Sequence, residues 1–147
     1  MAHSIQALIF DDALLPEANR LVPNCRTAAL RQGFCLLPVT TQFTNELRGV
    51  YPEASDAQWP EFEYLSGPVE SVALRLSALG PVAYVETDYH GGTGAQAAVA
   101  WHRGVVVLPP RMSEMGPIND ALVTLGVARH GYFDEFEAVG LDLRRHL

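Results

Sequence analysis

Three strand-like runs crowded into residues 82–109 constrain the fold of this chain more than any other feature. Val82-Ala83-Tyr84-Val85-Glu86-Thr87-Asp88-Tyr89 is the first, Gln96 to Trp101 the second, and Val105 to Leu108 the third. Gly91-Gly92-Thr93-Gly94 lies between the first two, and Arg103-Gly104 between the last two. Connections this short leave only antiparallel neighbours, because a parallel crossover needs about a dozen residues or more. Residues 82–89, 96–102 and 105–109 are therefore predicted to form an antiparallel meander. Arg103-Gly104 suits a type I′ turn, which favours Gly at its second position. The glycine cluster implies positive φ or a close backbone approach.

The remaining elements follow from periodicity and punctuation. Ser4–Phe10 and Phe34–Val39 read as strands, the second ending at Pro38 or lying on an edge. Helices are predicted over Pro16–Leu21, from Asn24 through Leu30, from Thr41 to Val50, and from Pro68 to Leu79 with Ser66 as cap. Ile118, Ala121, Leu122 and Leu125 mark another helix, stopped by Gly126, and Asp134–Val139 a last one with Phe133, Phe136 and Val139 facing inward. Tyr51–Glu63 is the longest predicted loop. The whole, residues 1–147, reads as one α+β domain: a mixed sheet of about five strands with helices packed on it.

Seventeen carboxylates oppose ten cations, all arginine, for a net charge of −7. Phosphate backbones demand clustered cations, so nucleic acid is not an expected partner. A basic protein is. No apolar run approaches the roughly 20 residues of a membrane span, and the first residues carry no signal-type core, so a cytoplasmic protein is expected. Cys25 and Cys35 have no Cys-x-x-Cys spacing, and Cys35 reads as a buried thiol. His3, His90, His102, His130 and His146 lack ligand spacing. Neither a metal nor a cofactor is expected.

Alternation gives the meander its candidate site. If Val85 and Tyr89 share a face with Val99 and Trp101, then Glu86, Asp88, Gln96 and His102 gather on the other. His90 stands at the mouth of the loop formed by Gly91, Gly92 and Gly94. Such a group has the types needed for acid–base work or for holding a ligand. The same pattern is expected of a sheet face that merely meets water. The glycine loop precedes a strand rather than a helix and has no following Gly-Lys-Ser/Thr, so a hairpin turn is favoured over a phosphate cradle.

Leu8-Ile9-Phe10-Asp11-Asp12 resembles the start of a haloacid-dehalogenase nucleophile motif, but Ala13 stands where the second aspartate belongs and the chain has no lysine. A broader likeness is carried by Gly80-Pro81-Val82-Ala83-Tyr84-Val85-Glu86-Thr87-Asp88-Tyr89-His90-Gly91-Gly92-Thr93-Gly94-Ala95-Gln96 and the Trp101 that follows. This segment resembles the Y-V-E-x-x-Y-F-G-G-x-G-x-Q…W motif of a small uncharacterised bacterial protein family. Pro117–Leu122, Phe133–Leu141 and Gly33–Thr40 resemble other parts of the same family. His90 departs from its pattern, which has Phe there. The resemblance implies a shared fold and assigns no activity.

Two functional readings stand. One is a protein-interaction module, most concretely a toxin-neutralising immunity protein, favoured by size, acidity and the absence of a complete catalytic motif. The other is a small-ligand-binding protein or enzyme using the polar face beside residues 91–94.

Overall fold

His3-Ser4-Ile5-Gln6-Ala7-Leu8-Ile9-Phe10 alternates only at first; from Ala7 every residue is apolar, which marks a strand covered on both faces. The computed structural model, which describes residues 2–52, 54 and 59–146, places this strand at the centre. It is β1 (His3–Asp11). The helix α1 (Leu15–Leu21) follows, with Pro16 in its first turn, where no N–H is needed. Then come β2 (Ala28–Ala29), β3 (Phe34–Pro38) and α2 (Thr41–Val50). The second half runs α3 (Gly67–Ser77), β4 (Val82–His90), β5 (Thr93–His102), β6 (Val105–Ser113), α4 (Pro117–Leu125) and α5 (Glu135–Ala138).

Among the described residues the six strands form one sheet in the order β2-β3-β1-β4-β5-β6. The α+β class and the β4-β5-β6 meander are as the sequence indicates. Every neighbouring pair is antiparallel, so the sheet is not mixed, and it gains its sixth strand from Ala28–Ala29. That short strand replaces the helix expected after Asn24. Asn24 itself has a φ of 63°, outside the helical region.

Helices cover both faces. Leu8, Phe10, Tyr84, Val99 and Trp101 pack under α1, α2 and α3. Ile5, Ile9, Val85, Ala98 and Ala100 pack under α4 and α5. Local signals set the helix ends. Thr40 and Ser66 accept hydrogen bonds from the Phe43 and Val69 N–H groups. Gly126, at a φ of 103°, ends α4 in the left-handed conformation. Asp134 caps α5, but Phe133 points outward and is 76% exposed, contrary to its expected inward position. Of the predicted loop at 51–63, residues 53 and 55–58 lie outside the described residues.

The two-sided cover explains the main error in reading the sequence. In the β4–β5 register Tyr84 opposes Val99, Val85 opposes Ala98, and Thr87 opposes Gln96. Val85 therefore faces away from Val99 and Trp101. A one-residue slip is normally penalised because it buries the polar face. Here both faces are buried, so that penalty does not choose the register.

Candidate functional site

The register divides the expected constellation. Glu86 and Asp88 lie on the α1–α3 side of the sheet, whereas Gln96 and His102 lie on the α4–α5 side. His102 is also at the far end of β5, roughly 30 Å from Thr93 at 3.3 Å per residue. The four do not share one face, yet Glu86, Asp88 and Gln96 all border a cleft of about 480 Å³ under the 60–64 segment, which His102 does not reach.

Each carboxylate and amide has its own structural task. Glu86 is buried. Its Oε1 accepts the Glu63 N–H at 2.9 Å; its Oε2 accepts the Tyr64 N–H at 2.9 Å and the Tyr84 hydroxyl at 2.7 Å. It pins the end of the long loop to the sheet. Tyr84 is held far above the usual phenol range by its burial and by the Glu86 charge, so its hydroxyl stays a donor. Asp88 and His90 form an exposed pair at 2.9 Å, a type of contact that contributes little.

The glycines shape the β4–β5 hairpin. Gly91 and Gly92, at φ of 60° and 81°, form its two-residue turn, as a type I′ connection requires. Gly94 instead permits close approach: a Cβ there would lie 1.9 Å from the Asp88 carbonyl oxygen. Arg103 and Gly104 form the expected second turn, both with positive φ.

A polar cluster does exist on the α4–α5 side, and its main members are not those expected. Strand alternation carries His3 to the same face as Ile5, Ala7 and Ile9, and β1–β4 pairing sets His3 opposite Tyr89. The buried imidazole donates from Nε2 to the Leu141 carbonyl at 3.0 Å. Its Nδ1 lies 2.7 Å from the Thr87 hydroxyl, which in turn accepts the Ile5 N–H. The ring packs against Phe136 with centroids 5.2 Å apart. Gln96 is the next member. Its Oε1 accepts the Ile118 N–H at 2.8 Å and so caps α4 from another element. Its Nε2 donates to the Tyr89 hydroxyl, which donates to the Glu114 carbonyl. Asn119 and Asp134 join α4 to α5: Asn119 accepts the Phe136 N–H and donates to Asp134.

These residues line a cleft of about 480 Å³ beside the hairpin, within the range of small-molecule sites. Gly92, Gly94 and Gln96 are the expected site residues that reach it. The rest of its wall includes His3, Glu114, Met115, Asp134, Phe136, Asp142 and Arg145. His3 was missed because the first strand was expected to start at Ser4, whereas β1 starts at His3 and its alternation turns the ring inward. Asp142 and Arg145 were missed because the segment 141–146 reaches the cleft by a long-range contact in which the Ser4 N–H donates to the Arg145 carbonyl at 2.8 Å. Among the described residues no group of three or more His, Cys, Asp or Glu is gathered to hold a metal. No helix among them is long and apolar enough to cross a membrane.

Burial holds the His3 pKa below its ordinary 6.5, with Arg145 adding to the effect. The unfolded chain thus takes up a proton below pH 6.5 that the folded chain resists. Stability from this group is present in full above that pH and is lost as pH falls toward the lowered folded value. Urea unfolding followed across pH is expected to show wild type losing stability relative to His3→Gln below 6.5. The slope is at most about 1.4 kcal/mol per pH unit.

No protein-family model matches the chain, and no curated protein or solved structure does either. In this chain seven residues between Tyr84 and Gln96 have separate structural tasks. Tyr84 and Glu86 hold the loop; Gly91 and Gly92 turn the hairpin; Gly94 admits the neighbouring strand; Tyr89 and Gln96 seat α4.

Proposed function

We propose that this protein is a protein-interaction module that docks a basic partner along β6, in the manner of an immunity protein that neutralises a toxin. The observation that carries the reading is the composition of the outermost strand. Val105, Val106 and Val107 are 59%, 43% and 45% exposed, and Met112 is 59% exposed. These apolar side chains lie on a sheet edge with no strand beyond it among the described residues. An exposed apolar strand on a sheet edge is a site for another chain unless something covers it. The net charge of −7 supports a basic partner by long-range attraction. The expected ligand-binding candidates Glu86 and Gln96 are engaged in holding the fold, which favours the interaction reading over the ligand-site one. The motif resemblance supports a fold shared with its bacterial family and adds no activity.

The test is capture from the source cells with wild type and a Val105→Asp/Val107→Asp variant, read by mass spectrometry. Wild type is expected to retain a basic protein that the variant loses by about tenfold or more, and that about 1 M salt releases. Equal retention by both proteins would overturn the reading. So would a wild-type homodimer in sedimentation that the variant abolishes, because the strip would then be a self-interface.

A further inference from the structure

The cleft beside the hairpin contains two opposite charges that the fold leaves unmatched. Asp142 and Arg145 are three residues apart, and both line the cleft. The Asp142 Oδ1 atom is buried and has no hydrogen-bond partner. Neither Asp142 nor Arg145 belongs to an ion pair with another described residue. Both share the cleft wall with the His3 ring. A buried carboxylate oxygen without a donor carries a desolvation cost that a bound donor would remove.

The lining restricts what can enter. Glu114 and Asp134 join Asp142 in the wall, so a phosphate dianion meets three carboxylates. A simple cation meets the Arg145 guanidinium. A molecule carrying both charges satisfies both, with Arg145 supplying a planar fork for a carboxylate. Phe136 and Met115 provide apolar surface in the same cleft, and Met115 is 64% exposed. The volume of about 480 Å³ exceeds the needs of a single amino acid and leaves room for a dipeptide.

We propose that this cleft binds a small zwitterion of the amino-acid or short-peptide class, with its ammonium on Asp142, its carboxylate on Arg145 and its side chain against Phe136 and Met115. The site is independent of the β6 docking strip.

Isothermal titration with L-leucine, glycyl-L-leucine, N-acetyl-L-leucine and L-leucinamide tests it. At least one of the two zwitterions is expected to bind with Kd of about 1 mM or tighter. Leucine binding alone assigns a free amino acid; binding of the dipeptide alone assigns a peptide. Blocking the amine or the carboxylate is expected to weaken binding about tenfold or more. Asp142→Asn and Arg145→Gln are each expected to do the same without lowering the melting temperature, since neither side chain bonds another described residue. The blocked ligands keep the test decisive if a variant fails to fold. Val105→Asp/Val107→Asp is expected to bind as wild type does, which separates failure of this site from failure of the docking strip. No binding by either zwitterion, or equal binding by the blocked forms, would overturn the proposal.

Discussion

Gly94→Ala is expected to cost on the order of 3 kcal/mol or more, enough to leave a marginal domain largely unfolded. The added Cβ would lie 1.9 Å from the Asp88 carbonyl oxygen and 2.7 Å from the Tyr89 Cα. Those are backbone atoms of a paired strand, so no side-chain rotation relieves the overlap. The hairpin must part, and with it the Tyr89–Gln96 contact that seats α4. Gly91→Ala and Gly92→Ala are different in kind. Nothing lies within 4 Å of a Cβ at either position, and only the positive φ is penalised. About 1 kcal/mol is expected for each. Urea unfolding of the three variants checks the order, and equal losses at all three would show that close approach is not what position 94 requires.

Glu86→Ala is the second large effect, at about 3 kcal/mol. The substitution leaves the Glu63 and Tyr64 N–H groups and the Tyr84 hydroxyl without their acceptor in a buried setting. A hydrogen bond to a charged group contributes about 1.5–3 kcal/mol, and an orphaned donor costs about 1–3 kcal/mol. Glu86→Gln is expected to recover only part of this, since its NH₂ would face a donor where Oε1 or Oε2 now accepts one. Asp88→Asn, two residues along the same face but exposed, is expected to stay within about 0.5 kcal/mol of wild type. The readout is chemical denaturation combined with proteolysis of the 59–65 segment, which Glu86→Ala is expected to expose. An unchanged cleavage rate there would refute the tether.

The contrast between Glu86 and Asp88 also marks what could be read from the residues alone. Alternation placed the two carboxylates together correctly. It could not say that only one would be covered, because the cover comes from a loop distant in sequence. Helices with their own punctuation were legible: Ser66 and Pro68 opened α3, and Gly126 closed α4. The hairpin turns were legible because Gly91-Gly92 and Arg103-Gly104 carry the positive φ such turns need. Ala28-Ala29 read as helix because alanine favours helices, yet pairing with Leu36 and Cys35 made it a strand. The third strand of the meander was expected to end at residue 109, but β6 continues through Pro109 and Pro110 to Ser113. An outer strand tolerates proline because one row of its hydrogen-bonding groups has no strand to meet. The cleft was the least legible part, since His3, Gln96, Phe136 and Arg145 come from four separate segments.

The two margins of the sheet decide how far any strand-by-strand assembly can grow. A fibre requires every molecule to offer two long, flat edges, one for each neighbour. One margin here is β2, which is two residues long. The other is β6, whose register against β5 shifts twice, between Ala98 and Ala100 across Pro109-Pro110 and between Ala100 and Trp101 at Val107. These irregularities break the edge into two short regular stretches, Val105-Val106 and Arg111-Met112-Ser113. A strand added to β6 finds no second long edge on the same molecule, so strand-by-strand growth stops after a single junction.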